Sequence, residues 1–221
     1  MSDSDLGRRV AALLFESGAV HVSRRQPFML AAGWASPVYV DCRLLFGKAV
    51  VRRQVAALAA EYCAANFPPC SFDAVAGGET AGIPFAALLA EQLGLDLRYV
   101  RKRPLGVGRN AQVEGGDVDG LRVLLIDDLT SDGASKLGFA RGLRAAGAIV
   151  EHALTIFFNN AFAGTLKRLG AAQLKLHALA TWADALRATP SDYLAAEDRT
   201  AVEQFLADPV AWSMRHGGRG G

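Results

Sequence analysis

Between residues 73 and 181, short apolar runs alternate with longer segments of helical period, and no other feature constrains the fold as strongly. "DAVAGG", "LRYV", "RVLLID", "IVEHALTIFF" and "LKLHAL" read as strands. Among them "AGIPFAALLAEQLG", "ASKLGFARGLRAAG" and "FAGTLKRLG" read as helices, the first two stopped by Gly94 and Gly147. Strand alternating with helix predicts an α/β fold with a mostly parallel sheet covered on both faces. One polar, Gly-rich stretch, 101–120, interrupts the rhythm and shows neither period.

On the N-terminal side, residues 6–15 carry helix-spaced apolar residues behind the acidic Asp3 and Asp5. "FMLAAGWASPVYVDCR" reads as two short strands around a Gly/Ser/Pro turn, since Val38 and Val40 alternate with Tyr39 and Asp41. "VVRRQVAALAAEYCAANF" is helical up to Pro68 and Pro69. Beyond Ala180 an amphipathic helical tail is expected, broken at Pro190 and Pro209 and disordered after Gly217.

Composition narrows the function class. The 221 residues suffice for one large α/β domain with a real core. A net charge of +2 gives no general case for nucleic acid, although Arg101, Lys102 and Arg103 form a local basic patch. No apolar run approaches the ~18 residues of a membrane span. The three cysteines form no CxxC pair and leave one over in any disulfide scheme, which points to reduced thiols in the cytoplasm. "MSDSDLGRR" does not read as a signal peptide.

The motif that carries chemistry is "VLLIDDLTSDGAS". A core strand ends in Asp127 and Asp128, then a turn of small and hydroxyl residues leads into a helix. Backbone N–H groups of such a turn cradle an anion, and Ser131, Gly133, Ala134 and Ser135 are small enough to let a phosphate approach. Adjacent carboxylates would repel it, so they suit sugar hydroxyls or a hydrated Mg²⁺. A ribose 5-phosphate has both features. A helix cap and a solvated neighbour are the plain alternative. No Walker A loop occurs, and the GxGxxA match from Gly106 to Ala111 follows no strand directly and opens no helix.

These segments together resemble the type I phosphoribosyltransferases, and specifically the orotate phosphoribosyltransferase family. The paired acids with their turn resemble the family's phosphoribosyl pyrophosphate loop. "FMLAAGWASPVYVDCR" is similar to its N-terminal segment, "AVAGGETAGIP" to its second conserved loop and "YVRKRPLGVGRNAQVEG" to its mobile catalytic loop. "LHALATWADAL" through "DPVAWSMRHGG" is similar to the tail of one bacterial branch.

The resemblance implies a single phosphoribosyltransferase domain over 1–221. It would comprise an N-terminal helix and hood strands (about 1–45), a core (about 46–180) and a helical tail (about 181–221). It also implies roles. Phosphoribosyl pyrophosphate would lie on Asp127, Asp128, Leu129, Thr130, Ser131, Asp132, Gly133, Ala134 and Ser135, with Asp127 and Asp128 at the ribose hydroxyls. Arg101 and Lys102 would close over the pyrophosphate, often in a neighbouring subunit's site, hence a homodimer with shared active sites. Lys102, Asp127 and Asp128 would be the catalytic residues, and Tyr39, Val40 and Ser131 would meet orotate. Mg²⁺ would be bound through substrate and water rather than directly by the protein.

The sequence departs from the family at two places. Leu105 stands where the catalytic loop has its second lysine, with Val107 at the aromatic or His position. Asn159 and Asn160 occupy the region of the usual orotate-binding arginine. Leu105 therefore leaves a second reading open, a catalytically weak or silent regulatory protein that keeps the phosphoribosyl pyrophosphate site. A purine in place of orotate is a third, which the N-terminal segment disfavours. His21, His152, His177 and His216 lack metal-ligand spacing and are expected to be structural; Trp34, Trp182 and Trp212 are expected to pack.

Overall fold

The computed structural model describes residues 4–220 except 31–32, 107, 109–110, 162 and 189–192. Asp3, Val107, Arg109, Asn110 and Pro190, singled out above, lie outside the described residues.

A six-stranded sheet organises the chain. Its strands are β5 (Ala74–Gly78), β6 (Asp96–Val100), β7 (Val113–Glu114), β8 (Arg122–Thr130), β9 (Ile149–Phe158) and β10 (Lys175–Thr181). The spatial order is β10-β9-β8-β5-β6-β7, parallel throughout except for the edge strand β7. β8 shows why the inner runs are continuously apolar: Leu124 and Ile126 pack on one face of the sheet, Val123 and Leu125 on the other. On the first face lie α1 (Ser4–Glu16), α3 (Ala49–Asn66) and α4 (Gly82–Leu93), and on the second α5 (Ala134–Ala145) and α6 (Thr165–Ala171).

The N-terminal strands form two small antiparallel ribbons. β1 (Val20–Val22) pairs with β4 (Val38–Val40), and β2 (Phe28–Met29) with β3 (Ala35–Ser36). β1 was not expected; three residues are too few for a period to show. The short α2 (Arg43–Gly47) then leads into α3.

Two further expectations are corrected. The stretch 101–120 is not without strand: β7 pairs with β6, and Arg101 N–H to Gln112 O (2.9 Å) and Leu105 N–H to Ala111 O (2.7 Å) extend the ladder into a hairpin arm. Chain reversal makes that pairing, not side-chain alternation, so the sequence carries no period for it. Nor are the described residues beyond Gly217, 218–220, disordered. After α7 (Trp182–Ala188), α8 (Ala196–Ala207) and α9 (Pro209–Arg215), Arg219 N–H bonds to Gly33 O (2.8 Å). Its guanidinium lies 5.0 Å over the Trp34 ring, and Ser213 Oγ takes the Ala35 N–H (3.0 Å). The C-terminus thus clamps the β2–β3 ribbon.

His152 and His177 lie in the first half of β9 and β10, towards the end of the sheet opposite Asp127, and contact each other at 3.1 Å among Tyr62, Phe67 and Phe72. Burial pushes His177 down to about 4. Among the described residues no group of three or more His, Cys, Asp or Glu could hold a metal, and no helix is long and apolar enough to cross a membrane.

Candidate functional site

Strand order reverses between β5 and β8, because β5 is flanked by β6 on one side and β8 on the other. Such a switch point leaves a crevice beyond the carboxyl ends of the strands. A cavity of about 730 Å³ opens there, within the range of a small-molecule site. Tyr39, Val40, Asp41, Arg43 and Phe46 form one wall, and Glu79, Thr80, Ala81 and Pro84 after β5 another. Lys102 closes one side, and Asp127, Asp128, Leu129, Ser135, Lys136 and Phe139 form the floor.

The floor depends on a close approach. A Cβ at Gly82, the first residue of α4, would lie 2.5 Å from the Ile126 carbonyl oxygen. Only glycine lets that helix start against the end of β8. The Glu79–Thr80 peptide bond beside it is cis.

Charge in the cavity is paired in specific ways. Asp41 accepts from Arg43 Nε (2.6 Å) and Nη2 (2.8 Å), which holds its carboxyl below the ordinary carboxylate range. Arg43 Nη2 also donates to Tyr39 OH (3.1 Å). Glu79 Oε2 accepts the Lys102 backbone N–H at 2.7 Å. Lys136 Nζ lies 2.6 Å from Asp127 Oδ2, with the two side chains 3% and 8% exposed. Removing one partner from a pair so buried costs about 3–5 kcal/mol. Asp128 makes no ion pair among the described residues; burial and the neighbouring Asp127 charge push it up to about 6, against the pull of Lys136.

Of the residues predicted from sequence, the fold brings Tyr39, Val40, Lys102, Asp127, Asp128, Leu129 and Ser135 to one cavity. The others are not among the residues that line it. Arg101 turns away from the cavity, its Nε bonded to Glu114 (2.9 Å) and its guanidinium 5.6 Å over Tyr99. Thr130 is still within β8, paired with Phe158 and fully buried. Ser131 offers its carbonyl to Thr165 Oγ1 (3.0 Å), and Asp132 Oδ1 takes the Ala134 N–H (3.1 Å). Gly133 has φ +79°, and a Cβ there would meet Leu169 at 3.1 Å. A side chain at Gly133 would therefore press on α6, not enter the place expected for a phosphate. Leu105 is 63% exposed.

Sequence reasoning missed Arg43, Glu79 and Lys136. Arg43 and Glu79 fall within segments already singled out. Lys136 carried its own signal, since a lysine in the first turn of a helix opposes the macrodipole unless an anion sits beside it.

Comparison with known proteins places this geometry. Residues 49–181 match the phosphoribosyl transferase domain family. The orotate phosphoribosyltransferase of Rhizobium rhizogenes is 47% identical over 211 residues, which is 95% of this chain and 90% of that protein. The solved orotate phosphoribosyltransferase of Aeropyrum pernix superposes with a TM-score of 0.69 at 32% identity, over 80% of this chain and 96% of that one. The UMP synthase of Leishmania donovani superposes with a TM-score of 0.77 at 26% identity, over 91% of this chain but 42% of its own length. With a relative this similar over nearly its whole length, the chain belongs to the orotate phosphoribosyltransferases of the phosphoribosyl transferase family.

Proposed function

We propose that this chain transfers the 5-phosphoribosyl group of phosphoribosyl pyrophosphate to orotate, giving orotidine 5′-monophosphate and pyrophosphate for UMP synthesis. The observation that carries the reading is the cavity itself. The carboxylate end of β8 and the start of α5 form its floor, Tyr39 and Val40 one wall, and Lys102 faces them from the hairpin arm. The carboxylate end of β8 meets the ribose hydroxyls, and the turn 131–135 holds the 5-phosphate. Backbone groups at Tyr39 and Val40 meet the base, and Ser131 lies towards it. Lys102, and Arg101 once released from Glu114, face the pyrophosphate.

Displacement of pyrophosphate builds oxocarbenium character at the anomeric carbon and frees a highly charged leaving group. Positioning and fixed charge therefore supply the catalysis, and no protein nucleophile is required. The donor set fits a Mg²⁺ that arrives on the diphosphate. Asp41 and Asp127 are already neutralised by Arg43 and Lys136, which leaves too few free carboxylates for a protein-built metal site. Bound in that way, Mg²⁺ would offset diphosphate charge. All 221 residues form one domain in this reading, since a single core cluster runs from Leu6 to Phe205. The free thiols Cys42, Cys63 and Cys70 suit a cytoplasmic protein.

Leu105 supports the second reading, a protein that binds but turns over little. A spectrophotometric assay of orotate consumption separates the two. We expect slow, Mg²⁺-dependent turnover, and a rise in kcat larger than any fall in KM for Leu105→Lys, because the added charge acts mainly in the transition state. No orotate turnover by either protein, with phosphoribosyl pyrophosphate still bound, would establish the binding protein.

A further inference from the structure

Two parts of the chain lie outside residues 49–181, the stretch that matches the phosphoribosyl transferase domain: the cavity wall at Tyr39 and Val40, and the C-terminal tail. They are linked through the β2–β3 ribbon. Only Pro37 separates β3 from β4, which carries Tyr39 and Val40. The ribbon has two residues in each strand, and a two-stranded pairing so short is marginal in water by itself. The tail supplies the rest. Ser213, fully buried, accepts the Ala35 N–H at Oγ (3.0 Å) and donates to the Arg219 carbonyl (2.8 Å). Arg219 N–H returns to Gly33 O (2.8 Å), and its guanidinium covers Trp34. Gly218 has no room for a side chain, since a Cβ there would overlap the Ala35 nitrogen and Ser213 Oγ and lie 2.8 Å from the Ala35 Cβ. α9 is itself anchored, with Trp212 edge-on to Phe205 of α8 at 5.5 Å between ring centroids.

Two links run on from the ribbon to the cavity wall. Ser36, also fully buried, donates its hydroxyl to Val38 O (2.8 Å) and accepts the Val38 N–H (3.1 Å), which fixes the turn at Pro37. Phe28, opposite Ser36 in β2, sets its ring 5.8 Å from that of Tyr39. We propose that the tail positions the wall for the acceptor base: Ser213, Gly218 and Arg219 act through the β2–β3 ribbon to set where Tyr39 and Val40 stand. None of the three lines the cavity, so all are positioning residues. The proposal rests on reading Tyr39 and Val40 as the wall that meets the base. Its consequence is a division within one cavity. The base end depends on the tail, and the phosphoribosyl end, floored by β8 and α5, does not.

Calorimetry on the full chain tests the division with two ligands that share a phosphoribosyl group. Orotidine 5′-monophosphate carries the base and phosphoribosyl pyrophosphate does not. Gly218→Ala, which wedges the tail off the ribbon, should weaken orotidine 5′-monophosphate about 10–100-fold, the effect of an ångström-scale misplacement. Phosphoribosyl pyrophosphate with Mg²⁺ should bind as it does to wild type. In steady state the loss should appear in KM for orotate, with KM for phosphoribosyl pyrophosphate unmoved. Arg219→Ala should cost orotidine 5′-monophosphate about two- to fivefold, as an exposed cation–π contact does. Arg219→Lys, which keeps a cation over Trp34, should regain part of that. Equal weakening of both ligands overturns the proposal, and so does a folded Gly218→Ala chain that binds orotidine 5′-monophosphate as wild type does. Should Gly218→Ala fail to fold, amide hydrogen exchange in the wild-type chain decides. Coupling is reciprocal, so orotidine 5′-monophosphate should slow exchange at Ala35 and Arg219 while phosphoribosyl pyrophosphate does not. No slowing, or the same slowing by both ligands, defeats the proposal. A wild-type chain with no affinity for orotidine 5′-monophosphate would defeat the functional reading and the proposal with it, an outcome distinct from wild-type affinity that the variants leave intact.

Discussion

Asp128 sits in an environment that works against the charge of its type. Its carboxyl is pushed up to about 6 by burial and by Asp127, with Lys136 opposing; Asp41, Arg43 and the buried Cys42 lie close by. The sign of the consequence follows. The native chain holds this proton to a higher pH than the unfolded chain, whose carboxyl titrates near 3.8. Between those limits the native state binds more protons, so the group's contribution to stability falls as pH rises from 3.8 to about 6. Binding should run the other way, because the ionised form accepts the ribose hydroxyls. Affinity for phosphoribosyl pyrophosphate is expected to climb through about pH 6, and Asp128→Asn should flatten both profiles. Denaturant titrations and calorimetry across that window check the pair; parallel slopes in wild type and variant would rule it out. Asp127 and Asp128 were legible in the sequence as a pair. That they differ was not, because the difference is made by Lys136 and the α4 wall.

At the scale of elements, strands and helices were legible where period and punctuation agreed. Gly94 ends α4 at φ +63°, and Gly147, at φ +98°, follows α5. The turn between β8 and α5 was legible in its composition but not in its direction. Its residues are small, as an anion turn needs, yet Gly133 has its missing Cβ aimed at Leu169 of α6. Gly133→Val should therefore act first on stability. A branched residue at positive φ costs about 1–2 kcal/mol before the contact with Leu169 is added. Melting is expected to fall by about 4–8 °C for a total near 2 kcal/mol in a domain of this size. An unchanged melting temperature would show that the turn relaxes around the new side chain. Residues 101–105 and 111–112 gave no period, because what joins them is backbone hydrogen bonding, Arg101 N–H to Gln112 O and Leu105 N–H to Ala111 O.

For the whole molecule, the question is how many chains make a site. Arg101 is held by Glu114 and Tyr99 away from its own cavity, and Leu105 stands 63% exposed on the same arm. Lys102 lines its own chain's cavity, so we propose that Arg101 is the part of the arm that serves the cavity of a second copy, in a homodimer with shared sites. Mixing an Asp128→Asn chain with an Arg101→Ala chain should then regain activity, since one hybrid cavity would draw two intact components. Hybrids shown to form without any recovery would mean that each chain completes its own site. The sequence by itself determined the alternation of β and α, the parallel sheet and the carboxylates at the end of β8, because periodicity, breakers and strand-end chemistry are local properties. Only the tertiary structure decided that the C-terminus clamps the β2–β3 ribbon, that Arg43 and Glu79 join the cavity and that Lys136 takes Asp127. Those contacts join residues distant along the chain or buried by distant elements, and a buried charge takes its partner from whatever packing brings within reach.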